Sequence, residues 1–199
     1  MRPQRKDVRF DTGDGHCAAW LYRPDHAPQR APVVVLGHGM GGVREMRLDA
    51  VCRRFRVAGY ACLAFDYRHF GASDGDPRQL LDIDRQLTDW AAALHYVRHR
   101  NDLDPTRIVL WGALSIISHR PGRQTADITC PVLFCVCETD SVAPARATLH
   151  HARRAPRAEI RIYPVGHFDI YRGGAFERVI HDQIAFLNRH VPPGEAGSH

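Results

Sequence analysis

The sequence predicts an α/β fold built on a mostly parallel sheet, and three observations support this prediction. Short continuous apolar runs, typical of buried strands, alternate with longer amphipathic stretches at helical spacing. An antiparallel pair of strands precedes this alternation. The chain has 199 residues, of which 44% are hydrophobic, and these values fit one globular domain. We place that domain at residues 1–191 and expect residues 192–199 to form a disordered tail.

The strands follow in order along the chain. Residues 6–24 predict an antiparallel hairpin around a Gly-Asp-Gly turn. The run VVVLG that comes next is typical of a parallel strand covered on both faces. Four further candidate strands follow it: ACLAFDY, RIVLWG, PVLFCVCE and EIRIYPV.

Three amphipathic helices alternate with these strands. The first contains Leu48 and Phe55 and ends before Gly59, the second runs from Leu80 to Val97, and the third from Phe176 to Val191. The sequence therefore predicts a twisted sheet with an antiparallel N-terminal strand and helices on both faces. We expect PVLFCVCE to lie beside RIVLWG in that sheet.

Composition excludes several functional classes. The net charge is +5, but the arginines are scattered and lack aromatic partners, so we do not expect nucleic-acid binding. We expect no membrane span, because no apolar stretch approaches about 18 residues. The six cysteines lack paired CxxC spacing, so we expect reduced thiols and no metal site. The charged start MRPQRKDVRF lacks the apolar core of a secretory signal, which predicts a cytoplasmic location.

The motif GHGMGG, residues 37–42, has two functional interpretations. As G-x-G-x-x-G it matches a dinucleotide fingerprint, with Asp66 near the place of a ribose-binding acid, which would make the protein an NAD(P)-dependent oxidoreductase. The hairpin before the motif counts against this interpretation. As His-Gly-x-Gly-Gly the motif is a loop whose free N–H groups can bind an oxyanion. The structural alternative is a glycine turn that only lets the chain reverse.

Three more stretches favour the oxyanion interpretation. An Asp-x-Arg-x-x-Gly-x-Ser-x-Gly pattern follows ACLAF, CVCETDSVAP places a carboxylate after a strand, and YPVGHFDIY ends the last strand with Gly-His-Phe. Together with GHGMGG they resemble the α/β-hydrolase family from about residue 6 to residue 191.

The resemblance implies a catalytic triad in the order nucleophile, acid, histidine. Asp140 matches the acid, His167 matches the histidine, and Met40, with Gly39 before it, matches the oxyanion hole. It also implies a small acyl ester or amide as substrate and no cofactor. Because the loops after neighbouring parallel strands meet at one sheet edge, we expect Asp140 and His167 within hydrogen-bond reach.

The nucleophile departs from the family pattern. The family places G-x-S-x-G after the strand that corresponds to RIVLWG, but here Gly112 is followed by Ala-Leu-Ser-Ile-Ile. Ser115 stands one position late, and Ser118 is the next choice. The serine of GASDG, Ser73, belongs to the preceding loop pattern, where it is expected to tighten a turn.

The segment between the nucleophile and the acid is short. Residues 113–130 suffice for one crossover between parallel strands but not also for the strand and lid that family members carry there. The resemblance therefore implies an esterase-type serine hydrolase, shortened in the middle, with weak or lost activity. The alternatives are a non-catalytic hydrolase-like binding protein or deletion product, and the oxidoreductase. The shortening would expose apolar faces of the sheet, and two copies of the chain could pair through them. A homodimer is therefore a further expectation.

Overall fold

The computed structural model describes residues 5–25, 30–39, 41–112 and 125–194. Within these ranges the strands are β1 (Arg5–Asp11), β2 (His16–Tyr22), β3 (Ala31–Gly37), β4 (Ala61–Phe65), β5 (Leu103–Gly112), β6 (Val132–Cys137) and β7 (Ala158–Tyr163). The helices are α1 (Leu48–Val57), α2 (Ile83–Arg98), α3 (Ala145–Ala152) and α4 (Gly173–His190). The chain divides into two compact units, Met1–Ile116 with Val191–His199, and Ile117–His190. The single domain over residues 1–191 stays a prediction.

The first unit contains a five-stranded sheet in the order β1-β2-β4-β3-β5. The strand β2 pairs antiparallel with both β1 and β4, whereas β3 pairs parallel with both β4 and β5. The parallel sheet with an antiparallel N-terminal start is therefore confirmed. VVVLG, ACLAF and RIVLWG all lie in this sheet.

Helices cover both faces of this sheet. Because side chains alternate along a strand, Leu63 and its neighbour Cys62 point to opposite faces of β4. Leu63 belongs to a buried cluster that also contains Val97 of α2. The Cys62 thiol lies 3.7 Å from the backbone oxygen of Cys52, which belongs to α1. The helices α1 and α2 thus pack on opposite faces, as the sequence predicts.

The second unit contains β6 and β7, which pair parallel in a two-stranded sheet. Phe134 of β6 packs with Leu149 and Ala152 of α3, whereas Cys137 packs with Val179 of α4. Phe134 and Cys137 are three residues apart in the strand, so α3 and α4 cover opposite faces of this sheet.

The prediction that PVLFCVCE lies beside RIVLWG is wrong. The strand β6 pairs with β7 in a sheet of its own, and β5 ends the first sheet within the described residues. We infer a physical reason from strand register. A strand's register and its alternation of buried side chains match one particular neighbour, and here β5 matches β3 whereas β6 matches β7.

All six cysteines are free thiols. Four of them are buried and Cys135 is partly exposed, whereas Cys130 is exposed. In the described part of the chain, no helix combines the length and the apolar composition that a membrane crossing requires.

Candidate active site

Asp140 lies in the loop that follows β6. Its Oδ1 accepts hydrogen bonds from the backbone N–H groups of Val142 at 2.8 Å and Ala143 at 2.7 Å. The carboxylate side chain is only 8% exposed. Burial would raise the pKa of Asp140, but the hydrogen bonds from Ala143, His167 and Val142 outweigh it, and the pKa lies below its usual value. The loop therefore holds an ionised carboxylate in a fixed orientation.

His167 lies in the loop that follows β7, and its ring contacts Asp140. The Nδ1 atom of His167 is 2.8 Å from Oδ2 and 3.1 Å from Oδ1 of that carboxylate. An ionised carboxylate can only accept hydrogen bonds. Nδ1 therefore carries a proton and donates a hydrogen bond to the carboxylate. The other ring nitrogen, Nε2, is then the basic one. This arrangement gives an imidazole whose tautomer is set by a carboxylate, which is the arrangement that a general base in acyl transfer needs.

The backbone holds the two loops together beyond the strand ends. Glu138 donates its N–H to the Tyr163 carbonyl at 2.8 Å, and Thr139 donates to the Val165 carbonyl at 3.3 Å. Parallel pairing thus continues to the residue before Asp140. The sequence predicted this meeting of Asp140 and His167 from the positions of both residues after neighbouring strands, and the structure brings them together.

Gly166 shapes the histidine loop. Its N–H donates to the Asp169 carboxylate at 3.1 Å, and a Cβ at this position would lie 2.9 Å from that Asp169 oxygen. The ring of Phe168 meets the His167 ring edge-on, with centroids 4.9 Å apart, although Phe168 itself is 66% exposed. The close approach of Gly166 to Asp169 explains why glycine precedes the histidine.

The loop of the oxyanion motif begins with His38, whose ring is buried. Its Nε2 accepts the N–H of Tyr67 at 3.3 Å, so its Nδ1 carries the proton and donates to the Gly39 carbonyl at 2.9 Å. Burial lowers the pKa of His38, although the Gly39 carbonyl and Asp66 act in the opposite direction. A neutral His38 thus holds the Gly39 carbonyl, which also accepts the N–H of Gly42 at 3.0 Å. The sequence does not predict this role of His38, because its only signal is a histidine before the glycines of the motif.

The remaining predicted residues divide into two groups. Met40, Ser115 and Ser118 lie outside the described residues, so their parts in the site stay predictions. Ser73 is buried; its hydroxyl donates to the Asp66 carbonyl at 2.7 Å and accepts the N–H of Ala18 at 2.8 Å. Ser73 therefore fastens the loop to β2, as the turn interpretation predicts, and offers no free nucleophile.

The geometry opposes the dinucleotide interpretation of GHGMGG. Asp66 is fully buried, and its carboxylate accepts the N–H groups of Arg44 at 2.8 Å and Ala72 at 3.1 Å. A ribose-binding acid must be open to the ligand. A Cβ on Gly37 would lie 2.6 Å from the Trp90 ring, so this glycine serves the packing of α2. Across the described ranges, no group of three or more His, Cys, Asp or Glu side chains could hold a metal ion.

Comparisons with known proteins identify relatives in sequence and neighbours in fold. A scan against models of protein families finds no match. The quorum-quenching protein AidA of Acinetobacter baumannii is 37% identical over a 290-position alignment that covers 94% of this chain and 95% of AidA. Thiohydrolase aneE of Aspergillus aculeatus is 31% identical over 132 residues, covering 66% of this chain and 41% of aneE. The alignment thus extends over about two fifths of the length of aneE, and it reaches from near one end of AidA to near the other.

Solved structures share the fold at low sequence identity. The α/β hydrolase GrgF from Penicillium superposes with a TM-score of 0.81 and 19% identity, over 94% of this chain and 99% of GrgF. Thermogutta terrifontis esterase 2, phosphorylated by paraoxon, gives a TM-score of 0.82 and 16% identity, over 98% of this chain and 97% of the esterase. At these identities the likeness concerns the fold.

Proposed function

Because the chain belongs to the α/β-hydrolase family, we propose that it is an esterase-type serine hydrolase for a small acyl ester or amide, with weak or lost activity at its altered nucleophile. The observation that carries the proposal is the 2.8 Å contact between His167 Nδ1 and the Asp140 carboxylate. A buried carboxylate that sets the tautomer of a partly exposed imidazole prepares Nε2 to accept a proton from a hydroxyl nucleophile.

The proposed reaction is acyl transfer in two steps. The Ser115 hydroxyl attacks the substrate carbonyl while His167 Nε2 accepts its proton, and His167 then returns that proton to the leaving group. Asp140 stabilises the charged ring during the transfer. The backbone N–H of Met40, in the loop that contains Gly39, would donate to the oxyanion. Water then hydrolyses the acyl-enzyme through the same histidine.

The nucleophile is the reason to expect weak turnover. The residues after Gly112 are Ala-Leu-Ser-Ile-Ile, and a β-branched isoleucine at 117 does not suit the strained turn that presents a nucleophilic serine. The alignment with AidA has 290 positions and this chain has 199 residues, so a long stretch of AidA has no counterpart here. We propose that this stretch includes the nucleophile helix, the following strand and the lid.

Nitrophenyl acetate hydrolysis and labelling by a fluorophosphonate probe test the proposal. We expect slow turnover, about 10³ to 10⁴-fold above water at most, because an incomplete triad retains little more than this. The His167→Ala variant should lower it further, and no stoichiometric labelling should occur. Complete labelling at Ser115 that is abolished by His167→Ala would show an ordinary hydrolase with a competent nucleophile.

A non-catalytic binding protein is the second candidate, and the altered sequence after Gly112 favours it. Turnover that is unchanged in both Ser115→Ala and His167→Ala, together with measurable binding of acyl compounds, would select this candidate over the hydrolase.

We also propose a cytoplasmic location and a homodimer. The six free cysteines support the location, because thiols persist mainly in reducing compartments. Leu110 supports the dimer, because it is 58% exposed on β5, an edge strand within the described residues. Light scattering measures the molar mass of the purified chain in solution and so tests the homodimer. A monomer mass at all concentrations would exclude the homodimer. Fractionation of cells that express the chain decides its location.

A further inference from the structure

Two exposed histidines lie at the C-terminal end of α2, and the triad residues do not explain them. His95 and His99 are four positions apart, so they share one side of the helix. The opposite side is buried, because Ala93 and Val97 pack into the core of the first unit. The two imidazole rings lie with their centroids 4.0 Å apart and their planes at 33° to each other. We call these two residues the histidine pair.

A hydrogen bond fixes the orientation of the His99 ring. Its Nδ1 lies 2.8 Å from the backbone carbonyl oxygen of His95. A carbonyl oxygen can only accept hydrogen bonds, so Nδ1 carries a proton and donates. The other ring nitrogen, Nε2, then keeps a free lone pair. Histidines that bind metal ions are oriented in the same way, with one ring nitrogen on a carbonyl or carboxylate and the other on the metal.

The ring spacing suits two neighbouring coordination positions of one metal ion. With metal–nitrogen bonds of about 2.0–2.1 Å, two imidazoles at a right angle on one ion have centroids about 4.5 Å apart, and two at a tetrahedral angle have centroids about 5.2 Å apart. The observed centroid distance of 4.0 Å is nearer to the first value. A right angle between neighbouring ligands belongs to the tetragonal geometry that Cu²⁺ and Ni²⁺ prefer.

The charges around the histidine pair favour a cation in one respect and oppose it in another. The pair lies at the C-terminal end of α2, which is the negative end of the helix dipole. Of the two arginines beside it, Arg100 is neutralised by the carboxylate of Asp102, at 2.8 and 2.9 Å. Arg98 is exposed and lies three positions after His95, so its guanidinium repels a cation bound there. Removal of the Arg98 charge should therefore strengthen cation binding.

We propose that the histidine pair binds one divalent transition-metal ion through the Nε2 atoms of both rings, with Cu²⁺ bound more tightly than Ni²⁺ or Zn²⁺. Imidazole is a ligand that all three ions accept, and for a given set of nitrogen ligands the affinity is highest for Cu²⁺. Two protein ligands leave the other coordination positions to water. The inference does not rest on the proposed function, because Asp140 and His167 take no part in it.

The histidine pair is a binding site and not a hydrolytic centre. The metalloprotease motif H-E-x-x-H also places two histidines four positions apart on a helix, but it needs a glutamate after the first histidine as general base. Here Tyr96 takes this position, and its hydroxyl accepts a hydrogen bond from Arg100 at 3.0 Å. We therefore expect no metal-dependent hydrolysis. A bound ion instead links two successive turns at the end of α2 and stabilises the folded chain.

Titration of the chain with Cu²⁺ tests the proposal. All proteins carry Cys130→Ser, because an exposed thiol competes for copper ions. Isothermal titration calorimetry measures the dissociation constant, and the nitrogen splitting in electron paramagnetic resonance spectra counts the imidazoles bound to Cu²⁺. We expect one tight site with two imidazole nitrogens, and higher dissociation constants for Ni²⁺ and Zn²⁺. A tight site with a single nitrogen, or tightest binding of Zn²⁺, would overturn the proposal.

A variant with the same number of histidines is the matched control. Ala91→His combined with His95→Ala keeps 13 histidines and both rings on the exposed side of α2. The two rings then lie two turns apart, about 12 Å along the helix axis, and cannot share an ion. The dissociation constant for Cu²⁺ should therefore rise about tenfold or more. Equal affinities of this variant and the Cys130→Ser parent would contradict the proposal.

Two further variants and a melting experiment complete the test. Arg98→Gln should lower the dissociation constant for Cu²⁺ by about twofold, because it removes the repelling charge. His150→Ala removes another exposed helical histidine, one whose histidine neighbour is adjacent in sequence, and should leave the tight site unchanged. Cu²⁺ should raise the melting temperature of the Cys130→Ser parent more than that of the variant with histidines at 91 and 99. Loss of the tight site in His150→Ala, or an equal rise in both melting temperatures, would place the ion elsewhere and reject the histidine pair.

Discussion

Asp140 links the stability of the second unit to pH. Its hydrogen bonds lower its pKa in the folded chain below the ordinary value of 3.8, even though burial alone would raise that pKa. The unfolded chain then binds more protons than the folded chain in this range, so stability falls as the pH falls. The contribution of Asp140 to the free energy of unfolding is fully present above pH 3.8. It is lost as the pH falls through the lowered pKa.

The Asp140→Asn variant should lower the free energy of unfolding near neutral pH by about 1–3 kcal/mol, because it removes the charged acceptor of the His167 hydrogen bond. It should also lose less stability than the wild type when the pH falls below 3.8. Urea unfolding at a series of pH values measures both effects. Parallel curves for the two proteins below pH 3.8 would show that Asp140 does not couple to folding there.

Some functional side chains could be predicted from the sequence and others could not. Asp140 and His167 were predictable because each follows a recognisable apolar strand, and parallel pairing brings such positions to one edge. Ser73 was correctly assigned to a turn. The part played by His38 was not predictable, since it depends on burial and on two backbone contacts that no sequence pattern encodes.

The helix α2 begins at a capping aspartate. Asp82 has an extended backbone, and its side chain accepts the N–H of Arg85 at 3.1 Å. The bond satisfies one of the N–H groups that a helix leaves free in its first turn. Asp84, in the same turn, interacts with the helix dipole but does not cap.

Asp82→Ala should therefore destabilise the chain by about 1 kcal/mol, whereas Asp84→Ala, which changes the same charge, should cost only about 0.3–1 kcal/mol. Thermal or urea unfolding of the two variants side by side measures the difference. An equal cost for both would mean that charge, and not the capping hydrogen bond, accounts for the effect.

Elements with a strong apolar pattern were predicted and weakly patterned ones were not. The helix α3 was missed because ARATLHHA has Leu149 as its only large aliphatic side chain, too little for an amphipathic stripe. The strand β5 begins at Leu103, earlier than the predicted run at Arg107. The additional part of β5 contains Pro105, and proline is tolerated at a sheet edge, where β5 lies among the described strands.

The two compact units allow a direct test of the predicted single domain. Trp20, Trp90 and Trp111 all belong to the first unit, so tryptophan fluorescence follows that unit alone. Far-ultraviolet circular dichroism follows helices of both units. If residues 1–191 fold as one domain, the two signals should give the same urea midpoint and the same slope. Separate midpoints would show that the units unfold independently.

The distribution of the cysteines makes the native chain selective toward thiol reagents. Burial raises the pKa of Cys17 and Cys52, and it raises that of Cys137 to about 11, so these thiols stay protonated at neutral pH. Cys130, two residues before β6, is the exposed one. A maleimide dye should therefore attach there without any engineered substitution. The native protein offers a built-in position for attaching a fluorophore or for coupling the chain to a surface in one orientation.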